Sequence, residues 1–103
     1  MADFEKAARR DEIPEGQGKV IELAGRKIAL FNVGGKFHAT DNTCLHRGGP
    51  IGEGHLQGSV VSCPWHMWGF DVTTGVCTVN PEFKLETFPV KIEGEDLLVG
   101  YKR

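Results

Sequence analysis

The sequence predicts an all-β protein made of small antiparallel sheets in a sandwich or barrel. Three features lead there. Fourteen glycines and five prolines break the chain of 103 residues into short pieces, the punctuation expected of a small β domain. Inside those pieces the apolar residues alternate or run continuously, as they do in strands. Helical periodicity is weak from end to end.

Taken in order, Asp3 to Arg10 reads equally as a helical turn or an edge strand. Lys19 to Leu23 is short and apolar and precedes Gly25, which marks a strand and a turn. Arg26-Lys27-Ile28-Ala29-Leu30-Phe31-Asn32-Val33 is rich in strand formers and stops at Gly34-Gly35. Lys36 to Thr40 resumes the pattern, so a hairpin is expected there. Thr43 to Gly58 holds Gly48, Gly49, Gly52, Gly54 and Gly58 with little strand pattern. Long loops of this kind in compact domains are commonly functional. Ser59 to Ser62 is a short strand leading into Cys63-Pro64-Trp65-His66-Met67-Trp68-Gly69-Phe70. Val90 to Glu93, Gly94, and Leu97 to Tyr101 make a second hairpin, with Val90 and Ile92 on one face.

Size and charge narrow the function. The length suits one domain, residues 1–103. A net charge of −2 with interspersed signs gives no basis for binding nucleic acid or an anionic membrane. Arg9 and Arg10 are followed by Asp11 and Glu12, a solvated surface run. The first dozen residues carry seven charges and lack the apolar core of a signal peptide. No apolar run reaches the ~18 residues of a membrane span, so a cytoplasmic location is expected. Three cysteines cannot all pair within the chain. In a reducing compartment they read as metal ligands, catalytic groups or buried thiols.

Chemistry concentrates in two short motifs. Cys44-Leu45-His46 opens the glycine-rich stretch, and Cys63-Pro64-Trp65-His66 follows after sixteen intervening residues. Together they offer two thiolates and two imidazoles. Zinc accepts such a set tetrahedrally. The usual zinc-finger order, however, pairs cysteine with cysteine and histidine with histidine on a helix, whereas each pair here is mixed.

The spacing resembles the Cys-x-His and Cys-x-x-His signature of the Rieske iron–sulfur proteins, at Cys44, His46, Cys63 and His66. The hairpin before Cys44, the strand before Cys63, Phe70-Asp71, Thr74-Gly75 and the closing hairpin are also similar to Rieske-type ferredoxins, over about residues 13 to 101. The resemblance implies the Rieske fold, with a loop-rich cluster-binding subdomain at one tip, about residues 43–81. It implies one [2Fe–2S] cluster per chain, cysteines on one iron and histidines on the other. Two ferric ions, two sulfides and two thiolates sum to a neutral oxidised core, so neutral imidazoles favour reduction relative to an all-cysteine cluster. With no open coordination position, such a site moves single electrons and binds no substrate.

The high-potential branch of that family has a further cysteine in each loop and a serine and a tyrosine after the second histidine. The matching positions are Gly49, Trp65, Trp68 and Phe70. No disulfide can form, and the hydroxyl donors that stabilise the reduced cluster are missing. The resemblance therefore implies a soluble, low-potential carrier between a flavin-dependent ferredoxin reductase and a terminal ring-hydroxylating oxygenase, working as a monomer through transient contacts. It is expected to be an electron-transfer component with no catalytic residues of its own. One alternative is an accessory subunit of a larger reductase such as nitrite reductase. Another is a structural Cys2His2 zinc module.

Met67 departs from the glycine usual after the second histidine, and covering apolar surface accounts for it as well as a role at the cluster. Cys77 reads as a small buried apolar residue, and His38 and His55 as structural or surface histidines. Trp65 either shields the site or simply packs. Asn80-Pro81 is a turn, similar to the proline loop of the family. Gly48 and Gly49 would let backbone amides approach cluster sulfurs.

Overall fold

Strand β3 (Arg26–Val33) organises the molecule, because it is buried on both sides. Ile28, Ala29, Leu30 and Phe31 are all fully buried. Side chains alternate across a strand, so Ile28 and Leu30 enter one apolar cluster and Ala29 and Phe31 enter another. The continuous apolar run is thus the signature of a central layer. Fully burying a side chain the size of Ile28, Leu30 or Phe31 contributes roughly 1.5–3 kcal/mol relative to exposure.

The computed structural model describes residues 3–23, 25–42, 50–63 and 68–101. Among these there is no α-helix, only strands, turns and two short 3-10 turns. The middle sheet has the order β2 (Gly18–Leu23), β3, β4 (Lys36–Asp41), β8 (Thr87–Phe88). One flanking sheet is β1 (Asp3–Arg9), β10 (Asp96–Tyr101), β9 (Val90–Glu93). The other is β5 (His55–Gln57), β6 (Val60–Ser62), β7 (Gly69–Asp71). Every pairing is antiparallel.

The expected hairpins form. Val33 pairs with Lys36, and Gly34 (φ 59°) and Gly35 (φ 92°) fill a two-residue turn that needs positive φ at both places. Glu93 pairs with Asp96 around Gly94. Of the stretch Asp3 to Arg10, Asp3–Arg9 resolves as an edge strand and Arg10 opens a 3-10 turn, since β10 offers the strand a ladder and no apolar stripe of helical period competes. A bulge between Lys6 and Ala8 turns Ala8 into the core.

One expectation needs correction. The stretch 43–58 is not all loop in its described part. Ile51–Glu53 is a 3-10 turn with Ile51 fully buried, and β5 pairs with β6 around Gly58. A three-residue strand is too short to show periodicity, and its partner decides its state. Val90 and Ile92 share a face of β9, as expected, and differ in burial. Val90 packs against the core, whereas Ile92 is 44% exposed.

Candidate functional site

The cluster formed by Ala29 and Phe31 also holds Ile51, Val61, Cys63, Phe70 and Cys77. It brings together the anchors of three chain segments. The first is the end of β6. Ser62 pairs with Gly69 in the β6–β7 ladder, and the Cys63 N–H then donates to the Trp68 carbonyl at 2.7 Å. Cys63 is fully buried and its thiol is not in a disulfide. Its partner from the same motif, His66, lies outside the described residues, as do Trp65 and Met67.

The second segment leaves β4 at Asn42. The Ile51 N–H donates to the Asn42 carbonyl at 2.7 Å, and the Gly52 N–H donates to Asn42 Oδ1 at 2.8 Å. One buried asparagine thereby holds the far end of the stretch that carries Cys44 and His46. Those two residues, with Gly48 and Gly49, lie outside the described residues. Just before it, the Arg26 guanidinium reaches Glu86 at 2.7 Å and Asp41 at 3.3 Å and lies 4.9 Å from the centre of the Phe88 ring. The Glu86 hydrogen bond is the main reason that the Arg26 pKa is raised above its ordinary value, with the Asp41 hydrogen bond adding to it. This clamp fixes the end of β4 to the strands on either side.

The third segment is the turn after β7. Cys77 is buried, as expected, and its Sγ accepts the Asn80 N–H at 3.5 Å. The Asn80 carbonyl accepts the Phe83 N–H at 3.0 Å, and its side chain accepts the Glu82 N–H at 3.1 Å. Asn80-Pro81 is therefore a turn held from within and without. Phe83 stacks on Trp68 with ring centroids 5.6 Å apart, which pins this turn against the segment that leaves Cys63. On the same turn Val79 is 59% exposed. His38 is half-buried in β4, and His55 is exposed in β5.

Of the four expected ligands the described residues place Cys63 alone. What reasoning from sequence missed is the support: Asn42, the Arg26 clamp and the Trp68–Phe83 stack. A polar residue just ahead of a metal-ligand motif is a weak signal for Asn42, and nothing local marks the other two.

A family model for the Rieske [2Fe-2S] domain matches residues 3–89. The biphenyl dioxygenase ferredoxin subunit of Pseudomonas sp. (strain KKS102) is 40% identical over 102 residues, covering 97% of this chain and 94% of the relative. A chain in the complex of reduced oxygenase and oxidised ferredoxin in carbazole 1,9a-dioxygenase is 30% identical with a TM-score of 0.86, covering 93% of this chain and 91% of its own. A small subunit assigned to an NADH-dependent nitrite reductase from Mycobacterium tuberculosis superposes with a TM-score of 0.91 over 100% of this chain and 98% of its own. Its identity is 22%, which bears on the fold alone.

Proposed function

We propose, from the premise that the chain belongs to the Rieske [2Fe–2S] domain family, that it is a one-electron carrier that takes electrons from a flavin-dependent reductase and delivers them to a terminal ring-hydroxylating oxygenase. The observation that carries this is the 40% identity over 97% of the chain with a dioxygenase ferredoxin subunit. The chain is then an electron-transfer component of a larger oxygenase system. Its encounters are transient, its state monomeric and its location cytoplasmic. No helix among the described residues is long and apolar enough to cross a membrane.

Residues 43–81 would form the cluster-binding unit. Cys44 and Cys63 would hold one iron, His46 and His66 the other. Cys63 suits the role: its sulfur is sealed from water in an apolar cluster, and its amide is tied to Trp68 so that the strand end is fixed. A bound [2Fe–2S] group supplies a single-electron couple at a closed coordination shell. The protein's part is to hold the ligands, exclude water and present one edge to the partner. The turn at 80–83, stacked on Trp68, serves the second of these tasks.

The accessory-subunit alternative draws on the nitrite reductase likeness, which is a likeness of fold. Retention of all four ligand types in sequence favours a carrier, since many such subunits lack them. A large reductase co-purifying with this chain would support the alternative. The primary test is paramagnetic resonance. The reduced protein is expected to give the rhombic signal of a mixed Cys/His [2Fe–2S] site, and His66→Ala to abolish the native visible spectrum. A silent sample holding stoichiometric zinc would overturn the proposal in favour of the zinc module.

A further inference from the structure

We infer that Asn42 is a positioning residue for the metal site: a latch that fixes both ends of the segment carrying Cys44 and His46. The inference rests on the ligand set proposed above and deepens it. Asn42 is only 6% exposed, so its polar groups sit where an unmet hydrogen bond is costly. It uses both of its carbonyl oxygens on the returning chain, one for the Ile51 N–H and one for the Gly52 N–H. Its own N–H points back to the Lys27 carbonyl at 3.4 Å, which ties the latch to β3.

The returning chain is shaped to receive it. A Cβ on Gly52 would stand 2.6 Å from Val20 Cγ2, 3.0 Å from Asn42 Oδ1 and 3.3 Å from the Ala29 Cβ. A side chain at this position would have to displace Val20 and press on Asn42, so glycine favours the close approach of the Gly52 amide. Ile51 beside it is fully buried in the same cluster as Cys63. The latch therefore references the first half-motif to the core that carries the second. Ligands on a segment with free ends would sample many separations, and a bound metal group would have to order them. Fixing the ends in advance reduces that cost.

A merely structural role predicts a different pattern of effects from a latch, and three variants of the holoprotein separate them. Asn42→Leu keeps the size and removes the acceptor. Asn42→Asp keeps an oxygen for the Gly52 amide. Leu97→Ala creates a cavity in the other apolar cluster, on the far side of the middle sheet. Each is assayed for melting temperature, iron release to excess chelator and the paramagnetic resonance of the reduced protein. Asn42→Leu is expected to release iron about tenfold faster, the effect of one lost buried acceptor, and to broaden the resonance. Leu97→Ala is expected to melt at least as early with the resonance unchanged. Asn42→Asp is expected to stay within about threefold of the parent release rate.

Wild-type release and resonance in Asn42→Leu overturn the latch. So does an Asn42→Asp protein that releases iron about tenfold faster, the comparison that decides if the leucine variant does not fold. A parent protein without any cluster overturns the functional proposal and the latch with it. A parent cluster indifferent to Asn42 overturns the latch alone.

Discussion

Phe70→Tyr, alone and with Trp68→Ser, should raise the reduction potential. The structure sets the terms of the test. Phe70 is fully buried in the cluster that contains Cys63, and Trp68 packs against the same cluster two residues earlier. Both side chains therefore approach the side of the molecule where Cys63 lies. A hydroxyl bonded to sulfur there favours the reduced, more negative state. If that bond is about 1 kcal/mol stronger in the reduced state, a one-electron couple rises by roughly 40 mV. Two hydroxyls would add to roughly 80 mV. The stability readings discriminate further. A tyrosine hydroxyl that finds no acceptor costs about 1–3 kcal/mol, so Phe70→Tyr should melt near the parent only if the bond to sulfur forms. Trp68→Ser also removes the stack on Phe83, worth about 0.5–1.5 kcal/mol beyond buried area. The assay is a potentiometric titration followed by visible absorption, with a thermal melt of the same samples. An unchanged or lowered potential in a Phe70→Tyr protein with parent melting and full cluster content would refute the reasoning.

Two stability tests probe the scaffold. Gly75 has φ +85°, and a Cβ there would collide with the Leu85 carbonyl oxygen and stand 3.2 Å from Thr87 Cγ2. Gly75→Ala should cost about 2–5 kcal/mol, combining left-handed strain with overpacking. Gly94 has φ +62° and open space, so Gly94→Ala should cost about 1 kcal/mol; equal melting of the two variants would count against the packing at Gly75. The Glu12 carboxyl is held below its ordinary value of 4.5, first by the hydrogen bond from Lys19 and next by the Arg9 N–H. A depressed folded pKa gives stability that is complete above the unfolded value and lost as pH falls through the folded one. Glu12→Gln should therefore flatten the fall in melting temperature below pH 4.5, and a fall as steep as the parent's would refute this.

The sequence made the hairpins legible because their turns are local chemistry. Gly34-Gly35 and Gly94 take positive φ where tight turns demand it. The run Ile28 to Phe31 was legible as a strand, but not as a two-faced one, because a continuous apolar run carries no phase. Asp3 to Arg9 stayed undecided since its state depends on β10, at the other end of the chain. β5 was missed for the same reason: His55–Gln57 takes its strand conformation from pairing with β6. In the site, the two mixed Cys/His motifs and their spacing stand in the sequence itself, and their assignment as cluster ligands is part of the proposal. Asn42 was not legible, because its function arises only when Ile51 and Gly52 return beside it.

The division of the core explains why fold likeness is a poor guide to function here. One apolar cluster, built on Ile28 and Leu30 with Leu97 and Val99, holds the middle sheet to the β1–β10–β9 sheet, and Cys63 is not among its described residues. The nitrite reductase small subunit superposes with a TM-score of 0.91 at 22% identity, so the backbone path is shared where most side chains differ. The other cluster, built on Ala29 and Phe31, reaches Cys63 and the anchors of the neighbouring segments. In the proposed carrier, electron transfer would depend on what stands there: which atoms meet the metal, which donors meet its sulfurs and how well water is kept out. Those properties reside in a few side chains, and most of the backbone is indifferent to them. Alternation along a single strand thus separates the part of the molecule that sets its shape from the part that sets its chemistry.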